Sequence, residues 1–168
     1  DPGIPVPEWD DGRIAVGNGE DAAYWVRDDI RATAMAIDDP RSPHIVVVVA
    51  TDLYMVFRND AETIRSRAKA LLPPGIAKKL KIVVSATHNH HGPDTAFDVN
   101  HDWYEYMVGQ AAATVAEAVK NRRPGRLQVA AGEHWFGMND GTDPQIFDPR
   151  LNVLQAIDTK GQVIATAV

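Results

Sequence analysis

The sequence predicts an α/β fold built on a mixed, largely parallel sheet with β-α-β crossover units. Ile45 to Val49 (IVVVV) and Ile82 to Val84 (IVV) are short runs of β-branched residues, the composition of buried strands. Between them, Asn59 to Leu72 (NDAETIRSRAKALL) reads as a helix. Asn59 or Asp60 is its candidate cap, Glu62 lies in its first turn, and Pro73-Pro74-Gly75 ends it. A strand, helix and strand in that order normally form a parallel pair with a right-handed crossover. Such strands end at the same sheet edge, so Asp52, just past the first, is expected beside the residues that follow the second.

The remaining elements follow from similar signals. Asp1 to Asp11 holds three prolines and little periodicity, so residues 1–16 are expected to form an extended arm. Residues 17–168 are then expected to form a single α/β domain, irregular as far as Asp29, with turns at Gly17 and Gly19. Ile30 to Ile37 reads as a strand stopped by Asp38-Asp39-Pro40. A long helix is expected from about Asn100 to Asn121. Its buried side would carry Tyr104, Met107, Val108, Ala111, Val115, Ala118 and Val119. Lys120, Arg122 and Arg123 suit its C-terminus, and Pro124-Gly125 stops it. Leu127 to Ala131 is another strand. Gly132 to Pro149 is a long irregular stretch containing His134, Trp135, Phe136 and Asp140. Arg150 to Ile157 and Gln162 to Val168 read as a hairpin turned at Asp158 to Gly161.

Composition excludes several function classes. With 17 basic and 23 acidic residues the net charge is −6, the opposite of what a nucleic-acid or anionic-membrane surface needs. No run of about 18 apolar residues is present, so no membrane span is expected. No charged-then-apolar leader opens the chain, which gives a cytoplasmic expectation, although a first residue of Asp1 rather than Met fits a segment upstream. The absence of cysteine removes thiolate metal sites and leaves His and carboxylates as ligands.

The chemistry concentrates in Lys81 to Thr95, KIVVSATHNHHGPDT. Three of the six histidines, His88, His90 and His91, fall within four positions here, directly after a predicted strand. In an extended segment side chains at i and i+2 share a side, so His88 and His90 are expected to face one point and His91 to face away. Two neutral imidazoles at a strand end suit zinc, or another first-row divalent metal. The alternative is hydrogen bonding within a turn. Asp52 would orient an imidazole or hold a water, or else only brace its loop. His44 and His101 read as surface or capping residues.

Thr87-His88-Asn89-His90-His91-Gly92-Pro93 resembles the Thr-His-x-His-x-Gly-Pro motif of the neutral/alkaline ceramidase family, which also follows a buried strand. Asp28 to Ala32 is similar to an early strand segment of that family, and Asp52 to the aspartate after its second strand. The closing pair LNVLQAIDTKGQVIATAV is similar to a hairpin that precedes a further zinc histidine. The resemblance spans roughly residues 17–168 and implies that this is the N-terminal part of a catalytic fold. It implies zinc held by His88, with His90 beside the metal contacting water or substrate. Further ligands (a later His, a Glu and a Tyr) and a serine of the nucleophile motif would lie outside the chain. One departure stands out. Where the family carries a cationic triplet, this chain has Asn139-Asp140-Gly141, which makes Asp140 a candidate catalytic anion and argues against an ordinary lipid amide.

The terminal run VIATAV ends on an apolar strand, which fits a chain boundary, a docked strand or one half of a split fold. Size and end-point resemble the small subunit of a two-component, nitroaryl-ether-hydrolysing member. The expectation is therefore a zinc-dependent hydrolase subunit acting on an amide or an activated aryl ether. A larger second subunit would supply the remaining ligands in a hetero-oligomer. Two alternatives stand beside it: a non-catalytic binding chain with a vestigial histidine motif, and a fragment of a single-chain ceramidase-like amidohydrolase.

Overall fold

The computed structural model describes residues 15–17, 21–23, 26–135 and 140–168. Most of the expected arm lies outside these residues, as do Gly19 and Phe136. The sequence expectation was one domain over residues 17–168. The chain comprises two compact units, Asp1–Arg122 and Arg123–Val168.

The first unit opens with a short antiparallel pair, β1 (Ala15–Val16) and β2 (Asp21–Ala22). Its main sheet has β4 (Ile45–Thr51) between β3 (Ala32–Asp38) and β5 (Leu80–Ala86). The β3–β4 connection is a tight turn in which the Asp39 carboxylate accepts from the Arg41 backbone N–H at 2.9 Å, so those strands run antiparallel. The β4–β5 pair is parallel, with Val47 opposite Ile82, and α1 (Arg58–Ala70) supplies the crossover. Among the described strands this is the one parallel pair, so the expected parallel character narrows to the β-α-β unit.

Alternation along β4 buries Ile45, Val47, Val49 and Thr51. Ile45, Val47 and Val49 pack with Leu80 and Ile82 against Ala68 and Leu72 and against Ala112, Val115 and Val119 of α3 (His101–Lys120). A second cluster joins Leu53, Ile64, Trp103, Met107, Val108 and Ala111. Each fully buried Val, Leu or Ile contributes about 1.5–3 kcal/mol. The other face is more open than the reading of buried strands implies. Val46 is 38% and Val83 52% exposed, because both helices lie on one face of this unit.

Two helix details also differ. The N-cap of α1 is Phe57, and Asp60 reaches back to accept its N–H at 2.8 Å. The other Asp60 oxygen accepts from the Tyr104 hydroxyl at 2.9 Å, which ties α1 to α3. Pro73-Pro74-Gly75, expected only as a stop, instead leads into the one-turn helix α2 (Pro74–Ala77), with Pro73 as its N-cap. Helix α3 is capped by Asn100, whose side chain accepts from the Trp103 N–H.

The second unit is an antiparallel sheet with β7 (Arg150–Asp158) between β6 (Gly125–Glu133) and β8 (Val163–Ala167). The expected hairpin turn is present. Gly161 adopts φ +82°, a conformation open to residues without a Cβ, and the Asp158 carboxylate accepts from the Lys160 and Gln162 N–H groups. β6 is exposed along its whole length, including Leu127 and Val129. No described helix is long and apolar enough to cross a membrane.

Candidate functional site

The parallel pair continues past its strands into the histidine loop. Thr87 N–H donates to the Thr51 carbonyl and Asn89 N–H to the Leu53 carbonyl, both at 3.0 Å. Asp52 to Tyr54 therefore runs alongside Thr87 to Asn89. Asp52 lies where the sequence places it, and it meets the loop through Thr87, whose hydroxyl donates to its carboxylate at 2.8 Å.

His88 and His90 do come together. Their ring centroids are 4.7 Å apart with the planes at 89°. The cause is not the extended geometry expected from the sequence. His88 has φ +65°, a left-handed conformation that costs a residue with a Cβ energy and marks a constrained site. Tyr54, which nothing in the sequence singled out, packs against both rings. Its ring stacks on His88 at 4.7 Å and meets His90 edge-on at 4.5 Å.

His88 Nδ1 lies 2.9 Å from the Tyr54 carbonyl oxygen. A carbonyl only accepts, so the contact calls for an Nδ1–H donor, and the tautomer that supplies it has its lone pair at Nε2. Metal-binding histidines are usually oriented by this kind of contact. His91 is exposed, as expected, with its N–H donating to the Asn89 side chain.

The back of the loop is held by the segment Ala15 to Gly17. Gly17 N–H donates to the Gly92 carbonyl, Asp94 N–H donates to the Ala15 carbonyl, and Val16 bridges Pro93. Gly17 has φ +63°, and a Cβ there would lie 2.5 Å from the His90 carbonyl oxygen. Gly17→Ala is therefore expected to destabilise the chain by at least the ~1–2 kcal/mol of left-handed strain. Gly109→Ala is the comparison. That helical position has open space around a new Cβ, and alanine there is expected to be neutral or to stabilise by about 0.5–1 kcal/mol. Urea unfolding of both variants tests the pair, and equal midpoints would contradict the strap.

Downstream, Asp94 is 2% and Thr95 5% exposed. The Asp94 carboxylate accepts from the N–H groups of Ala96, Phe97 and Asp98. The Thr95 hydroxyl accepts from Met55 N–H and donates to the Met55 carbonyl. Neither residue stood out in the sequence.

Asp140 belongs to the second unit and is engaged in its own loop. Its carboxylate accepts from Ile146 N–H and from both the hydroxyl and the N–H of Thr142. These bonds, that to Ile146 first, hold its carboxyl below the usual range. The stabilisation they give is present above the ordinary carboxylate pKa and fades as pH falls through the lowered value. Asn139 lies outside the described residues. His134 donates its N–H to the Pro149 carbonyl, and Trp135 is 64% exposed.

Among the described residues no group of three or more His, Cys, Asp or Glu is placed to hold a metal ion. The donor set still fits part of a zinc site. His88 offers a fixed Nε2 and His90 adjoins it, whereas zinc takes at least three protein ligands.

No family model matches the sequence, and no curated protein matches it significantly. Solved structures do. The neutral ceramidase of Pseudomonas aeruginosa superposes with a TM-score of 0.75 over 92% of this chain at 22% identity. The fold is ceramidase-like. A structure described as ceramidase complexed with C2 matches over 80% of the chain, with a TM-score of 0.66 and 25% identity. The ceramidase-like chain spans only 28% and 24% of the lengths of these two proteins. At the coarse level, then, the histidine loop sits in a fold shared with hydrolases.

Proposed function

We propose that this chain contributes the histidine part of a zinc-dependent hydrolase site whose remaining ligands come from further polypeptide, most simply a larger second subunit. The observation that carries the proposal is the His88 contact to the Tyr54 carbonyl, which leaves Nε2 as a metal-directed lone pair beside His90. Zinc, when bound, supplies activated water at neutral pH for attack on an electrophilic carbon. His88 holds the metal. His90, adjoining but not sharing the carbonyl contact, serves as second ligand or as the group that orients water and substrate. Asp52 enters as a brace that fixes the loop through Thr87. Asp140, whose carboxylate shapes its own loop, enters as the anion that stands where the family has a cation. The ceramidase neighbours favour an amide substrate, while the anion at Asp140 in place of a family cation favours an activated aryl ether such as 2,4-dinitroanisole.

Further polypeptide is supported by the exposed apolar positions Val46 and Val83 of the first unit and Leu127 and Val129 of the second. The absence of a three-ligand group among the described residues favours one competing reading, a binding chain with a vestigial motif. Native mass spectrometry of material purified from its source separates the two. Zinc retained in a complex with a larger chain is the expected result. A metal-free chain, with or without a partner, would sink the hydrolase reading.

A further inference from the structure

We propose that Tyr54 is the positioning residue of the histidine pair: its carbonyl sets the His88 tautomer, and its buried ring sets the planes of both imidazoles. Tyr54 is 8% exposed, yet it joins neither apolar cluster of the unit. Leu53, the preceding residue, enters the core beside Ile64, which turns the Tyr54 ring the other way, toward the loop. There it stacks on His88 with the planes at 25° and meets His90 edge-on at 73°. With the two imidazoles also edge to face, the three rings lock one another.

The ring and the carbonyl act on His88 together. The stack holds the imidazole over the Tyr54 backbone, where Nδ1–H reaches the carbonyl, and so keeps a residue at φ +65° in one arrangement. A side chain that only filled space would not require an aromatic face. The sequence position also explains the effect. Tyr54 follows the end of β4, and the hydrogen bond from Asn89 N–H to the Leu53 carbonyl fixes the two segments in register.

The metal consequence rests on the zinc reading above, but the tautomer does not, so the test reads them separately. Long-range nitrogen–proton correlation spectra of the metal-free, full-length chain at neutral pH report the His88 tautomer directly. The Nδ1-protonated form is expected, and an Nε2-protonated His88 would overturn the proposal whatever the chain does with zinc. Tyr54→Phe keeps the ring and is expected to keep the tautomer. Tyr54→Leu, checked for folding by circular dichroism, is expected to give mixed tautomers. Chelator competition then measures zinc on the complete assembly. A loss of roughly 10–100-fold in Tyr54→Leu, with Tyr54→Phe unchanged, is the expected pattern for an orienting partner. Equal effects in the two variants, or a folded Tyr54→Leu with an unaltered tautomer, would remove the positioning role. If Tyr54→Leu does not fold, the wild-type tautomer and the Tyr54→Phe comparison still decide the matter.

Discussion

His88→Ala is expected to strip zinc from the assembled protein and to lower turnover by more than the roughly 10–100-fold that losing an outer partner costs. The reason is the donor arrangement. The Tyr54 carbonyl takes up Nδ1–H, so Nε2 is the lone pair this side chain has to give, and alanine removes it outright. The main-chain conformation at this position is not the limiting factor. Alanine also carries a Cβ and bears the same left-handed cost, so stability is expected to change far less than metal content. His91→Ala is the internal control, because the described contact of His91 is made by its backbone N–H. Zinc per complex, measured by elemental analysis, and hydrolysis of an N-acyl amide and of 2,4-dinitroanisole give the two readouts. Retention of zinc and of turnover in His88→Ala would overturn the assignment of this residue, and parallel losses in His91→Ala would point to a general loop defect.

Asp94→Ala is expected to be the most destabilising single change in the loop. The carboxylate is buried at 2% exposure and accepts from Ala96 N–H at 2.7 Å, Asp98 N–H at 2.6 Å and Phe97 N–H at 3.1 Å. Hydrogen bonds to a charged acceptor contribute more than neutral ones, and a donor left unmatched costs its desolvation. Phe97 and Asp98 are exposed enough for water to replace part of what is lost, so the net cost is about 2–3 kcal/mol rather than the sum of three full bonds. The effect should reach the site, because Thr95 next to Asp94 clasps Met55, the neighbour of Tyr54. Asp94→Asn keeps one acceptor oxygen and is expected to fall between wild type and Asp94→Ala. Urea unfolding measures both. A change under about 0.5 kcal/mol in Asp94→Ala would show that the turn holds without its carboxylate.

The β-branched runs, the Pro-Gly stops and the period of α3 were legible because each depends on residues a few positions apart. How far the second sheet face is covered was not legible. A run such as Ile45 to Val49 looks the same whether one face or two are covered, and only the position of α1 and α3 decides it. The cap of α1 moved to Phe57 because Asp60 works from the third helical position as well as it would from the cap.

The sequence by itself determined that two imidazoles would lie at the carboxyl edge of a β-α-β unit, with Asp52 at the neighbouring strand end. Adjacent positions on the chain and the parallel crossover suffice for that. Only the tertiary structure decided how they stand. The ring that locks them and the carbonyl that sets the His88 tautomer come from Tyr54, 34 residues earlier. The buried hydroxyl that ties the far end of the loop is Thr95, 40 residues from its partner Met55. Gly17 lies against the His90 carbonyl from a segment expected to begin an irregular stretch. Local periodicity carries no information about such pairings, because packing fixes them only after distant segments have met.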